Sequence, residues 1–313
     1  MEKRKIGNTG IYIAPLALGT NVFGWTIDQA RSFEVLDAFV GGGFNLVDTA
    51  DYYSKWGTGN HGGESETIIG NWLKKTGKRS QVVLATKVGA DMGDGKKGIS
   101  KAYILKAVED SLRRLRTDHI DLYQTHFDDN TTPVEETMEA YFQLIKEGKV
   151  VACGASNMTP ERLKQSLDAS RQNNMPTYET LQPLYNLYDR HAYERNYEHI
   201  CVENNLGVIC YFPLASGFLT GKYRTEADLT KSVRGGGMHK FMNERGFHIL
   251  RTLDKTAKEY NTTPAAIALA WLMARPSVAA PIASATSVSQ LKELMSAAEI
   301  RLDEESVKAL SLD

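Results

Sequence analysis

The sequence has little cysteine. Cys153, Cys201 and Cys210 are the only three in 313 residues. They form no CxxC pair and leave one over, which excludes a disulfide framework or a zinc knuckle. They fit small apolar side chains in a reducing compartment. Long hydrophobic runs are also missing. The longest, Ala265–Ala274, is too short to cross a bilayer. Met1–Lys5 is basic, but Gly7-Asn8-Thr9-Gly10 interrupts the apolar region a secretion signal needs, so a cytoplasmic setting is expected. Neither charge sign is in excess: Lys+Arg 37 against Asp+Glu 38 gives a net charge of −1. That balance argues against a general nucleic-acid or membrane-surface binder. The seven histidines include no HxH or HExxH, and no carboxylate is arranged to complete a site with His191 and His199, so no metal is expected.

Phosphate-loop motifs are absent or out of place. No GxxxxGK[ST] occurs. Gly57–Gly62 and Gly93–Gly98 both match GxGxxG. A dinucleotide fingerprint needs its first glycine directly off a strand end. Here eight residues separate Asp48 from Gly57 and five separate Lys87 from Gly93. Both segments therefore read as flexible loops.

What is present is a core. Hydrophobic residues make up 42% of the chain and charged residues 24%, which excludes a largely disordered polymer. Lys3–Ile6 and Ile11–Ile13 flank a glycine-rich turn and read as a hairpin. Eight short apolar runs follow: Leu16–Gly19, Phe44–Asp48, Val82–Thr86, Ile120–Thr125, Val150–Gly154, Tyr178–Gln182, Val208–Tyr211 and Val278–Ile282. Most lack alternation, as strands covered on both faces should. Amphipathic stretches lie between them, such as Glu64–Lys75 and Lys101–Arg116, with Ser100 as a candidate N-cap for the latter. Pro133 and Pro160 read as first-turn prolines behind capping Thr132 and Thr159, and Gly148 and Gly207 as helix stops. Phe212–Arg245 shows little periodicity and reads as a loop above the strands, ordered on binding. Eight βα units without a linker predict an α/β fold. It is a single (β/α)8 TIM barrel over residues 1–313 with an N-terminal β-hairpin; a doubly wound open sheet is the runner-up.

Three consecutive strands end on polar residues: Asp48, Lys87 and His126. In a barrel these become neighbours at the C-terminal rim, where barrel active sites sit. Tyr53 follows five residues after Asp48. Alone, each has a bland explanation: a capping acid, a snorkelling lysine, a half-buried histidine. Jointly they suit one chemistry. Lys87 beside the phenol is expected to lower its pKa from ~10, with Asp48 holding the ammonium and His126 bonding the reacting oxygen. Tyr53 then gives a proton to a carbonyl or takes one from an alcohol. No side chain supplies the accompanying hydride, so a nicotinamide is implied.

Leu18-Gly19-Thr20, Asp48–Tyr53, Ala85–Val88, Tyr123–His126, Gly154–Asn157, Leu181–Asn186, Tyr211–Leu214 and Gly217–Tyr223 occur in order along almost the whole chain. In this arrangement the sequence resembles the aldo-keto reductase superfamily, most of all the bacterial branch near the potassium channel β subunits. The resemblance implies a catalytic tetrad at Asp48, Tyr53, Lys87 and His126. It implies cofactor contacts at Gly19, Thr20, Asn21 and Asp48, a carboxamide site at Ser156 and Asn157 with Gln182 near, and Tyr211 stacked on the nicotinamide. Phe212, Pro213, Leu214, Ser216, Gly217, Leu219 and Lys222 would lie along the pyrophosphate, and Ser284, Thr286, Gln290 and Glu293 at the adenosine end. Many relatives carry Arg or Lys in the turn after the last strand; here it reads Ala283–Gln290, with hydroxyls instead, and Leu294 replaces the usual Asn. The implied cofactor is NADP, with NAD the alternative.

Trp25, Trp56 and Phe127 are candidate walls for the substrate, a small carbonyl or alcohol such as an aldehyde, ketone or sugar. A nicotinamide-sensing binding protein is the competing reading; its mark would be a long N-terminal partner-binding segment, whereas the hairpin starts at about residue 3. A non-redox barrel isomerase is a third. No protein partner or oligomeric state can be read from the sequence.

Overall fold

The eight apolar runs form parallel strands that close on themselves, each within two residues of its expected bounds. The computed structural model describes residues 1–232 and 235–312. The hairpin comes first, as β1 (Arg4–Lys5) and β2 (Tyr12–Ile13), paired antiparallel. The barrel strands are β3 (Ala17–Gly19), β4 (Leu46–Asp48), β5 (Val83–Val88), β6 (Ile120–Thr125), β7 (Val150–Ser156), β8 (Tyr178–Gln182), β9 (Gly207–Cys210) and β10 (Val278–Ala283). They neighbour one another in chain order, and β10 pairs with β3 to close the ring. This is the (β/α)8 barrel, not the open sheet.

Around the ring stand α1 (Gln29–Gly41), α2 (Glu64–Thr76), α3 (Lys101–Leu115), α4 (Val134–Lys146), α5 (Pro160–Gln172), α6 (His191–Asn196), α7 (Glu198–Glu203), α8 (Glu244–Glu259), α9 (Pro264–Met273), α10 (Val288–Ser296) and α11 (Glu304–Leu310). Local chemistry explains their limits. Ser100 accepts from the Tyr103 N–H to start α3, which buries Ile104, Val108, Leu112 and Leu115 on one stripe and ends at Arg116 in the left-handed region. Thr159 and Pro160 start α5 as expected. Thr132 does not cap α4: its hydroxyl bonds the Asp129 carboxylate, and Pro133 occupies the cap position with no side-chain bond. Gly207 opens β9 rather than ending a helix; Asn205, at φ 53°, makes that turn. Gly148, at φ 72°, does follow α4. A side chain at Gly70 would sit 2.0 Å from the Arg114 carbonyl, so its absence lets α2 lie close against α3.

The Phe212–Arg245 segment is more structured than its sequence suggests. It holds three 3-10 turns, Ala215–Thr220, Glu226–Lys231 and Gly235–Phe241. Phe218, Leu219, Tyr223, Met238 and Phe241 pin it to the core. Val233 and Arg234 within it lie outside the described residues.

Two cores share the barrel wall. Outside, the strands' outward residues pack under the helices with Trp72, Tyr123, Tyr141 and Trp271. Inside, Ala17, Leu46, Ala85, Leu122, Ala152, Ile209 and Ala280 form an apolar floor, and Ile6, Ile11 and Ile13 of the hairpin plug it from below. Asn45 ties the plug in place, accepting from the Ala14 N–H and donating to the Tyr12 carbonyl.

Candidate active site

Side chains on a strand alternate between its faces, so the inward residue after each floor residue stands two positions further on. Above Leu46 comes Asp48, above Ala85 comes Lys87, and above Leu122 comes Gln124. Register sets Lys87 level with Gln124, and Asp48 one inward step lower, beside Ala85. Gly154 leaves room beside Gln124, since a side chain there would meet its Cγ at 3.1 Å and Thr180 Oγ1 at 2.0 Å. The floor is therefore apolar and the layer above it polar.

Lys87 is the centre of that layer and is fully buried. Its ammonium donates to Asp48 Oδ2 at 2.7 Å, to the Thr49 carbonyl at 2.8 Å and to the Tyr53 hydroxyl at 2.8 Å. All three N–H groups are thus used. The Tyr53 hydroxyl also reaches Asp48 Oδ2 at 3.3 Å. Asp48 Oδ1 accepts from Gln182 at 3.0 Å and Gln124 at 3.4 Å. Asp48 therefore sits in a full set of donors, and the Lys87 N–H left over from Asp48 and Thr49 points at the phenol. Tyr53 comes from the β4–α2 loop, whose turn uses Ser54 at φ 72° with its hydroxyl on the Phe23 carbonyl.

His126 stands just past β6, its ring 6.0 Å from that of Tyr53 and stacked on Phe127 at 4.5 Å. Its Nδ1 is buried without a partner among the described residues. Burial first, and the Lys87 charge second, hold its pKa well below the usual value, so the ring is neutral at neutral pH. The phenol departs from expectation. Burial is the largest influence on Tyr53 and Asp48 the next, and both raise its pKa well above 10. The phenol is enclosed and faces the Asp48 carboxylate, and both disfavour a phenolate. Tyr53 therefore holds its proton in this state. Burial also lowers the Lys87 pKa, against the upward pull of Asp48.

The expected cofactor residues stand at strand ends and in the segments that follow them. Ser156 donates to the Gln182 carbonyl at 2.8 Å. Asn157 donates to the His126 carbonyl at 2.9 Å and accepts from the Tyr211 hydroxyl at 2.9 Å. Phe212, Ala215, Ser216 and Gly217 all adopt positive φ, an uncommon run for three non-glycine residues. The Lys222 ammonium lies beside Gly217, over the Tyr223 ring at 5.0 Å. Asn21 accepts from Ser284 at 2.7 Å, and Gln290 receives both the N–H and the hydroxyl of Thr286. Glu293 is exposed on α10. Two residues are turned elsewhere. Leu219 is buried in the outer core, and the Thr20 hydroxyl donates to the Asp48 carbonyl and receives Ser65, which leaves both only their backbones for a ligand. Trp25, Trp56 and Phe127 are 37%, 43% and 43% exposed at the rim. Trp25 meets Trp56 edge-on at 5.7 Å, and Trp56 lies 6.2 Å from Tyr53.

Sequence reasoning missed Gln124 and the Thr49 carbonyl. The first was within reach, because it stands one inward step before His126. The second is a backbone group and leaves no residue-type signal.

A closed parallel barrel with a buried lysine–aspartate pair aimed at a rim tyrosine is the framework of a barrel oxidoreductase. The chain belongs to the aldo/keto reductase family, whose model matches residues 15–311. It is 35% identical over 319 residues to the uncharacterized oxidoreductase YrpG of Bacillus subtilis, covering 99% of this chain and 95% of that protein. It is 34% identical to the aldo-keto reductase YhdN of the same organism, with 94% and 88% covered. A probable voltage-gated potassium channel subunit beta of Arabidopsis thaliana is 30% identical, with 96% and 92% covered. The protein is thus an oxidoreductase of a family that uses nicotinamide cofactors. Among the described residues no helix is long and apolar enough to cross a membrane, and no cluster could hold a metal ion.

Proposed function

We propose that the protein reduces aldehydes, ketones or sugar carbonyls with NADP(H), and oxidises the alcohols in reverse, with Tyr53 as proton donor and acceptor. The observation that carries this reading is the 2.8 Å bond from Lys87 to the Tyr53 hydroxyl, made by an ammonium locked onto Asp48. As Tyr53 releases its proton to the carbonyl oxygen, negative charge develops on the phenol oxygen. The ammonium already faces that oxygen and steadies the charge without reorganising. Neutral His126 orients the carbonyl oxygen. The rim of Trp25, Trp56 and Phe127 takes the apolar or ring face of the substrate.

The donor set fits a nicotinamide, which when bound supplies the hydride. Its carboxamide needs both donors and acceptors; Ser156, Asn157 and Gln182 offer both, with the Tyr211 ring alongside. The positive φ of Phe212 and of Ala215, Ser216 and Gly217 suits a loop that turns N–H groups toward phosphate, with Lys222 next to it. Gly19, Thr20 and Asn21 approach from β3. Ser284, Thr286, Gln290 and Glu293 would hold the adenosine end. With hydroxyls in place of an arginine there, NAD remains the alternative. The three buried, unpaired thiols suit a reducing, cytoplasmic setting.

The test is Tyr53→Phe, assayed by NADPH consumption over a panel of aldehydes and by fluorescence titration with NADPH and NADH. Cofactor binding should persist while turnover falls by about 10²–10⁴. Full turnover in the variant would remove Tyr53 from the proton step. Wild-type binding without turnover across the panel would favour the alternative reading, a nicotinamide-sensing binding protein.

A further inference from the structure

Behind Lys87, on the outer side of the barrel wall, lies a second buried charge cluster that the proton transfer does not use. Alternation along β5 turns Thr86 outward where Lys87 turns inward. Thr86 donates to Glu66 Oε1 at 2.6 Å, and Arg114 donates to Glu66 Oε2 at 2.6 Å. Glu66 is fully buried. The close approach of α2 and α3 at Gly70 brings these two together.

Asp51 completes the cluster. It follows Asp48 by three residues, is buried, and its N–H donates to the Lys87 carbonyl at 3.4 Å. Its Oδ1 has no hydrogen-bond partner among the described residues. Its charged neighbours are Glu66 on α2, Arg114 on α3 and Lys87 on β5. The phenols of Tyr103 on α3, Tyr123 on β6 and Tyr141 on α4 also feel it. The Tyr123 hydroxyl too is buried without a partner among the described residues.

Three carboxylates thus share two cations. Lys87 belongs to Asp48, and its three N–H groups are taken; Arg114 belongs to Glu66. A charged Asp51 would be a third buried anion with no cation of its own, an expensive state. We propose that Asp51 is a positioning residue acting through Lys87: its uncharged carboxyl balances the buried cluster, and its ionisation adds negative charge around the amine that faces Tyr53. Burial is the largest push on this carboxyl and the Glu66 charge the next. They outweigh the opposing pull of Arg114, the Tyr52 N–H and Lys87 and raise it to about 8. In mild alkali the new charge then supports the Lys87 ammonium, which burial alone tends to discharge. The inference rests on the role proposed for Lys87, but its test does not need turnover.

The experiment compares wild type with Asp51→Asn. In the wild type the native carboxyl keeps a proton that the unfolded chain loses near pH 4, so native stability falls as pH rises from about 4 to 8. The variant lacks that loss. Its Tm should gain on wild type from pH 5 to pH 8 and hold the gain above. A difference constant across pH would mean that Asp51 is charged throughout, and overturns the proposal. The second readout is the titration of Lys87, followed by ¹³C NMR at Cε and assigned by its absence in Lys87→Met. Its midpoint should fall by about half a pH unit in Asp51→Asn, the scale of one charge acting through a protein interior. An unmoved midpoint overturns the coupling. Asp51→Ser repeats both measurements if the Asn variant does not fold. A wild type that consumes no nicotinamide cofactor would refute the redox reading while leaving both results interpretable.

Discussion

The floor and the mouth of the barrel are built from the same strands, one side-chain step apart, yet they are held together differently. At the floor, Leu46, Ala85, Leu122 and Ile209 meet the hairpin isoleucines by shape alone. At the mouth, Asp48, Lys87, Gln124 and Gln182 meet through directed bonds of 2.7–3.4 Å. An apolar contact tolerates small adjustments, whereas a buried ion pair needs every donor and acceptor in place. The fold thus puts its tolerance at one end of each strand and its demands at the other. Activity should depend on the demanding end, and bulk stability on both.

The largest test of that contrast is Lys87→Met. It leaves Asp48 buried without its cation, which should cost about 3–5 kcal/mol of stability, and carbonyl reduction should fall beyond the reach of an ordinary assay. Denaturant melts and NADPH consumption check both; a variant that stayed active would dissolve the distinction. Next comes Ile13→Ala at the floor. The cavity should cost about 2–4 kcal/mol while kcat stays near wild type. A proportionate fall in kcat would show that the floor also tunes the mouth. A smaller effect concerns His126. Burial and Lys87 keep its ring neutral, while the unfolded chain takes up a proton below about pH 6.5. Wild-type stability therefore falls as pH drops through that value. His126→Gln should lose less Tm than wild type between pH 7 and pH 5; equal losses would refute the depressed pKa. The smallest is Ser100→Ala, far from both ends. Loss of the α3 cap should cost about 1 kcal/mol, with unchanged KM and kcat.

The mouth was more legible in the sequence than its energetics. Asp48, Lys87 and His126 announced themselves as polar residues closing apolar runs, and strand order alone made them neighbours. Burial could not be read in the same way. The spacing suggested a lysine that lowers the Tyr53 pKa, but it did not reveal that the phenol is itself enclosed beside Asp48, which raises that pKa instead. Thr132 was misread because its pattern matches a cap, while the competing acceptor, Asp129, is three residues upstream in a loop of unreadable shape. Asp51, Glu66 and Arg114 escaped notice for a related reason. They come from three separate elements, and only the contact of α2 with α3 unites them. Pairings within one strand step are written in the local pattern; those that need two helices to touch are not.

Arg4 donates to the carbonyls of Val278 at 2.8 Å and Met273 at 2.7 Å. These acceptors lie some 270 positions further along the chain. A ribosome releases residues 4–13 long before it releases residues 273–278. The two bonds by which Arg4 holds the hairpin can therefore form only once the chain has reached β10. Vectorial synthesis thus leaves the plug without its arginine anchor until the last stave arrives.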